Sequence, residues 1–184
     1  MARTLKILIT GPFSAGKSTF IKTISELAPV STERRITRHG FASTVAAPRG
    51  LRLDTDKTHT TVAMDYGRVQ IGDAVLHLHG TPGQARFDFM WEILARDMAG
   101  YVLLVDSLDR DSFAETQAMH AYFLTRHPHV PYVVAANKQD AARAPRPATL
   151  RRPLNLPLDA LIMPCVSTRR TSVKQVLVQL ADMI

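Results

Sequence analysis

Gly11-Pro12-Phe13-Ser14-Ala15-Gly16-Lys17-Ser18 matches the pattern G-x-x-x-x-G-K-[ST] in full. Its flanks make it constraining. Leu5-Lys6-Ile7-Leu8-Ile9-Thr10 is a short β-rich run that reads as a buried strand. From Lys17 to about Leu27, apolar residues recur at Phe20, Ile21, Ile24 and Leu27, a helical spacing that ends before Pro29. Strand, glycine loop and helix in that order surround an anion with backbone N–H groups and a helix N-terminus. The candidate phosphate-binding residues are Gly11, Phe13, Ser14, Ala15, Gly16, Lys17, Ser18 and Thr19. Lys17 supplies a point charge toward the β- and γ-phosphates, and the Ser18 hydroxyl is placed to ligate Mg²⁺. A nucleoside triphosphate is the implied ligand.

The rest of the chain reads as strands alternating with helices. The stretch from Pro29 to about Thr60 has no sustained period, and loops of that length are usually functional or disordered. Thr61 to Val69 and Ala74 to Leu78 suit a hairpin around Gly72-Asp73. A turn-rich break from Gly80 leads into a helix reaching about Met98. An apolar strand, Tyr101 to Val105, precedes a helix from Ser112 to about Arg126. Val130 to Ala136 and Leu161 to Met163 read as strands, Ala141 to Pro157 as a short helix at most, and Ser172 to Ile184 as a closing helix. One hairpin followed by β-α alternation implies an α/β fold with a mostly parallel sheet and helices on both faces. With 184 residues, the expectation is a single domain over 1–184.

Asn137-Lys138-Gln139-Asp140 follows the strand ending at Ala136. A carboxylate such as Asp140 can accept hydrogen bonds from the N1–H and exocyclic amine of guanine, whereas adenine has an acceptor at N1 and no 2-amino group. Lys138 can lay its alkyl stem over the base, and Asn137 can brace the neighbouring loop.

Here the chain resembles the Ras-like small GTPases over nearly its whole length. The resemblance implies a P-loop NTPase of the Ras-like three-layer type, with a six-stranded sheet carrying one antiparallel edge strand. Gly80-Thr81-Pro82-Gly83-Gln84-Ala85-Arg86-Phe87 is similar to the second switch, normally D-T-A-G-Q-E-R-F. The resemblance implies that Gly83 donates its N–H to the γ-phosphate and that Gln84 orients the attacking water. Thr61 resembles the first-switch threonine that ligates Mg²⁺, with Thr60 an adjacent competitor. Cys165-Val166-Ser167-Thr168 corresponds to the loop whose backbone meets the guanine carbonyl, with Val166 and Ser167 as its candidates. The wording G-P-F-x-A-G-K-S-T and T-V-A-M-D-Y-G resembles predicted prokaryotic GTPases related to the signal-recognition-particle receptor β subunit. The T-P-G-Q form resembles the MglA-type polarity GTPases, which implies a roadblock-type protein regulator.

Three departures stand out. Gly80 occupies the place of an aspartate that holds a Mg²⁺-bound water, leaving fewer metal ligands or a substitute such as Asp54 or Asp56. Phe13 stands where Ras-like enzymes usually need glycine. The first-switch loop, at about 28–60, is enlarged. The implied activity is a guanine-nucleotide switch, binding GTP and GDP with Mg²⁺ and hydrolysing GTP slowly without a partner, with Gln84 and Lys17 as catalytic residues. The alternative is a GTP-dependent scaffold with negligible hydrolysis, read by a protein partner.

Other features carry less. Asp106 ends a strand in the manner of a Walker B acid, but with T-P-G-Q in the γ-phosphate role it reads as a strand-end turn residue. His77 and His79 share a strand face without a third metal ligand in view. Cys165, the one cysteine, reads as a buried filler and supports no disulfide framework. The 23 basic against 16 acidic residues give a net charge of +7, carried mostly by arginine. Such an excess suits phosphate-rich or acidic partners, or reflects genome base composition. Arginines in the long loop (Arg34, Arg35, Arg38, Arg49, Arg52) are candidate arginine fingers in cis. No run approaches the ~18 apolar residues of a membrane span, and neither end carries a signal, myristoylation or prenylation pattern. A cytoplasmic protein is expected, with peripheral membrane contact at most and no DNA partner.

Overall fold

The computed structural model describes residues 3–27, 65–83 and 88–184. The long loop at 28–60, Thr60, Thr61, Gln84 and the candidate acids Asp54 and Asp56 lie outside the described residues, as do the five loop arginines.

Strand β1 (Arg3–Thr10) runs through the phosphate loop into helix α1 (Lys17–Ile24). Strands β2 (Tyr66–Ile71) and β3 (Ala74–Gly80) form the hairpin, turning at Gly72 with φ 59°, as the Gly72-Asp73 pair suggested. Helix α2 (Asp88–Ala95), strand β4 (Gly100–Asp106), helix α3 (Phe113–Arg126), strand β5 (Tyr132–Asn137), strand β6 (Ile162–Pro164) and helix α4 (Arg170–Ala181) follow. Helix α2 stops three residues before the expected Met98, because Asp97 takes a left-handed φ of 57°. The Pro- and Arg-rich segment contributes only a 3₁₀ turn at Pro147–Leu150.

The six strands are ordered β2-β3-β1-β4-β5-β6. All neighbours are parallel except β2 and β3, so β2 is the antiparallel edge strand. The central strands are apolar on both faces because helices cover both, the pattern expected of a buried parallel sheet. Ile7, Ile9, Val102, Leu104, Val133 and Ala135 pack with α1 and α4 on one side. The alternate residues Leu8, Leu103, Val105, Val134 and Ala136 pack with Trp91, Leu94, Met119 and Phe123 on the other. Period-two alternation through one sheet thus feeds two cores and gives three layers. Val173, Val176, Leu177 and Leu180 recur at helical spacing and put one face of α4 on the first core. Burying side chains of this size contributes roughly 1.5–3 kcal/mol each.

This arrangement positions the site. In parallel strands the carboxyl ends point the same way, so the turns after β1, β3, β4, β5 and β6 meet at one edge of the sheet.

Candidate functional site

The phosphate loop is wound as its glycines require. Gly11 and Gly16 take φ of 144° and 101°, and Ser14 joins them in the left-handed region at 62°. Gly16 caps α1 without a side-chain acceptor, leaving the first N–H groups of the helix directed into the loop. Inside it the Lys17 ammonium donates to the carbonyls of Gly11 and Pro12, each at 2.7 Å. Burial pulls its pKa down from 10.5 to about 8, while the Glu115 and Asp65 carboxylates work against that fall.

Asp65, immediately before β2, is buried at 7% exposure and accepts a hydrogen bond from the Ser18 hydroxyl. Its carbonyl receives the Gly80 N–H at 2.8 Å. A Cβ built on Gly80 would lie 3.2 Å from the Cβ of Asp65 and 3.2 Å from Cδ1 of Ile21. Asp54 and Asp56 lie outside the described residues; the described carboxylate that meets Ser18 is Asp65, held just before β2 in the space that the bare backbone of Gly80 leaves open. Its signal was the alternation of β2, which directs Asp65 and Gly67 to the α1 face. Register with Gly80 was not visible from spacing.

Two further contacts frame the loop, of which the one from Glu115 has no signal in the motifs. Glu115, in the first turn of α3, accepts from the Phe13 backbone; burial raises its pKa and Lys17 opposes that rise. Gly83 lies against the loop: a Cβ there would sit 2.6 Å from Lys17 Nζ and 2.6 Å from the Phe13 nitrogen. Phe13 itself is 38% exposed at the rim.

The other half of the site is built from the ends of β5 and β6. Asn137, buried at 3%, donates from Nδ2 to the Ala15 carbonyl at 2.8 Å and accepts the Ser167 N–H on Oδ1 at 2.9 Å. One amide therefore ties the phosphate loop to both turns at the sheet edge. Ser167 is buried, and its Oγ has no hydrogen-bond partner among the described residues. Val166 gives its N–H to Ser172 Oγ at 2.9 Å. Lys138 takes a left-handed φ of 65° and its ammonium pairs with Asp106. Asp140 is exposed at the end of this turn. Asp106 accepts the Leu108 N–H at 3.0 Å, the strand-end turn role expected of it, and the ion pair with Lys138 is an addition.

The remaining candidates lie elsewhere. His77 accepts or donates at Nδ1 with the Tyr66 hydroxyl at 2.7 Å, and the Tyr66 ring also packs edge-on to His79 across the β2–β3 hairpin. Cys165 is fully buried and its thiol is pushed up to about 11 by desolvation. Part of the arginine excess is structural: Arg170 donates to the Thr23 and Ile24 carbonyls at the end of α1, and Arg151 to the Pro157 and Ala160 carbonyls. No described helix is long and apolar enough to cross a membrane.

A mostly parallel sheet with a glycine-rich loop at its carboxyl edge and an Asn-Lys-x-Asp turn beside it is the Ras-like P-loop architecture. The chain belongs to the family described as "Conserved hypothetical ATP binding protein", matched over residues 50–184, a stretch that starts beyond the phosphate loop. It is similar to human ADP-ribosylation factor-related protein 1, at 29% identity over 136 residues, 73% of this chain and 59% of that protein. An uncharacterized protein of Methanocaldococcus jannaschii is 38% identical over 80 residues, 44% of this chain and 50% of that one. The chain thus spans less than two thirds of the length of these curated relatives. The fold matches that of the Arl6 small GTPase from Trypanosoma brucei, solved with a bound nucleotide analogue, at a TM-score of 0.67 and 21% identity over 98% of this chain and 96% of that one. These relatives and this fold place the chain in the Ras/Arf-like small GTPase superfamily.

Proposed function

We propose that the chain is a guanine-nucleotide switch that binds GTP and GDP with Mg²⁺ and hydrolyses GTP to GDP and phosphate, slowly unless a partner assists. The observation that carries this reading is Asn137, whose amide fastens the Asn-Lys-x-Asp turn to the phosphate loop at 2.8 Å. A base and a phosphate chain held by those two turns belong to one ligand.

Asp140 reads the guanine edge, accepting from N1–H and the 2-amino group. The family description names ATP, but adenine presents an acceptor to that carboxylate and no second donor. Lys138 covers the face of the base, and the turn at Val166 and Ser167 faces the guanine carbonyl. Gly11, Phe13, Ser14, Ala15, Gly16 and Thr19 surround the phosphates, chiefly through backbone N–H groups. Lys17 exchanges its two carbonyl partners for phosphate oxygens.

The residues around Ser18 suit Mg²⁺, a hard cation that keeps several waters and takes only one or two protein oxygens besides phosphate. Ser18 offers its hydroxyl and Asp65 an outer carboxylate, with Thr61 a further ligand by likeness. When bound, the ion neutralises charge on the β- and γ-oxygens. Gly83 gives its N–H to the γ-phosphate and Gln84 orients water. A Cβ on Gly83 would lie 2.6 Å from Lys17 Nζ, so this backbone runs close beside the ammonium, where the gain or loss of a γ-phosphate would be felt. The Phe13 ring at the rim restricts the approach of water and of catalytic groups, which favours slow turnover and equally the scaffold reading with negligible hydrolysis.

Finer features follow from the same likeness: membership of the prokaryotic branch near the signal-recognition-particle receptor β subunit and the MglA-type proteins, a single GTP-binding domain over 1–184 with an enlarged first switch, a cytoplasmic location, and a protein regulator of roadblock type.

Competition against fluorescent GDP tests the base. GTP and GDP should compete at least about a hundredfold better than ATP. Asp140→Ala should lose guanine nucleotides, while Lys17→Ala weakens every phosphorylated nucleotide. ATP competing as well as GTP would overturn the guanine assignment. A single-turnover assay with pre-bound GTP, with and without partner proteins, separates switch from scaffold, and absence of phosphate release in both sinks the hydrolytic reading.

A further inference from the structure

Asp106 is a carboxylate at 3% exposure, between the ends of β4 and β5 and in register with Asn137. One oxygen, Oδ1, takes the Leu108 N–H and completes the strand-end turn. A serine or asparagine would serve that turn as well, without burying a charge. A buried carboxylate is costly unless a counter-charge meets it. Here Oδ2 is met by the Lys138 ammonium, whose side chain is 38% exposed. Lys138 stands at φ 65°, a conformation that L-residues adopt at a cost, so the turn redirects its side chain out of the strand line and toward Asp106.

We propose that Asp106 is a positioning residue for the nucleotide base. It pins the Lys138 ammonium so that the lysine's four-carbon stem is already laid out as a flat apolar wall when the base arrives. An unpinned lysine has many rotamers, and ordering it on binding would cost affinity. The division of labour is then physical: Lys138 with Asp106 recognises the face of a base, and Asp140 reads its edge. This rests on the nucleotide reading above, but a wall of methylenes is indifferent to the edge groups of a purine, so the two fail separately.

The test measures equilibrium binding and release of fluorescent GDP by the full chain, with thermal unfolding of each variant. Asp106→Asn should weaken GDP about tenfold, mainly through faster release, the effect expected for losing one charge-assisted hydrogen bond. The nucleotide IDP, which lacks the 2-amino group, should weaken by the same factor, leaving the GDP/IDP ratio where Asp140 sets it. Lys138→Met keeps an apolar stem that needs no anchor, so the Asp106→Asn/Lys138→Met pair should bind no worse than Asp106→Asn alone. Additive losses, a changed GDP/IDP ratio, or an affinity loss that merely follows the loss in Tm would overturn the proposal. Should Asp106→Asn fail to fold, Asp106→Ser keeps an acceptor for Leu108, drops the charge and carries the same readouts. A wild type that binds ADP as tightly as GDP overturns the guanine reading alone; the wall is then read with ADP, where the same loss supports it and no loss refutes it.

Discussion

Exchanging the residues at 65 and 80 gives the sharpest test of the proposed Mg²⁺ site. Asp65 is 7% exposed, accepts from Ser18 and lies where a side chain on Gly80 would have to go, with 3.2 Å between the two Cβ positions. Asp65→Gly removes the carboxylate. Loss of an outer-shell partner of this kind weakens metal binding by about 10–100-fold, or about 1.4–2.7 kcal/mol. That matches the roughly 1.5–3 kcal/mol of a hydrogen bond to a charged group. The assay is release of fluorescent GDP as a function of free Mg²⁺, whose midpoint should rise by that factor. Gly80→Asp alone should do as badly or worse, since its Cβ meets Asp65 at 3.2 Å and places two carboxylates together. The double exchange, Asp65→Gly with Gly80→Asp, opens that space and returns an acid from β3; the remaining contact is the Ile21 terminal methyl, which can shift. It should recover most of the Mg²⁺ dependence. An unchanged midpoint in Asp65→Gly, or a double exchange no better than the singles, would refute the reasoning.

Two other expectations follow from the same geometry. Lys17 has a free-protein pKa of about 8 against an ordinary 10.5, and bound phosphate stabilises its charged form. Above about pH 8 the free protein loses that charge first, so GDP affinity measured in chelator should fall by roughly tenfold per pH unit until the complex itself titrates. Across the same interval the unfolded chain holds more protons than the ligand-free fold, so the stability of the latter should rise with pH; a flat affinity profile counts against a buried Lys17. Asn137→Ala leaves the Ala15 carbonyl and the Ser167 N–H without their partners, both in buried surroundings. A loss of about 2–4 kcal/mol in urea unfolding, with an unchanged m-value, is expected alongside loss of nucleotide binding.

Much of the fold was readable because its signals are local. Apolar runs such as Tyr101 to Val105 read as buried strands and Val173 to Leu180 as one helix face, and each needed only a short window. Boundaries were read less well. The end of α2 depended on the left-handed Asp97, and an isolated Asp carries no such signal. The arginine excess was ambiguous in composition, and contacts resolved part of it: Arg151 and Arg170 spend their guanidinium groups on backbone carbonyls.

By itself the sequence determined that a phosphate loop opens the chain, that an Asn-Lys-x-Asp turn follows a later strand, and that β-α alternation brings the two to one sheet edge. Each of those is written in contiguous residues whose chemistry acts through their own backbone or side chains. The partners that complete the site were decided by tertiary structure alone. Ser18 and Asp65 lie 47 residues apart and Lys138 and Asp106 lie 32 apart, and each pair is joined only by the order and register of the sheet. Gly80 shows why: in sequence it is a missing acid, whereas in the fold the same lack of a side chain is the space that admits Asp65.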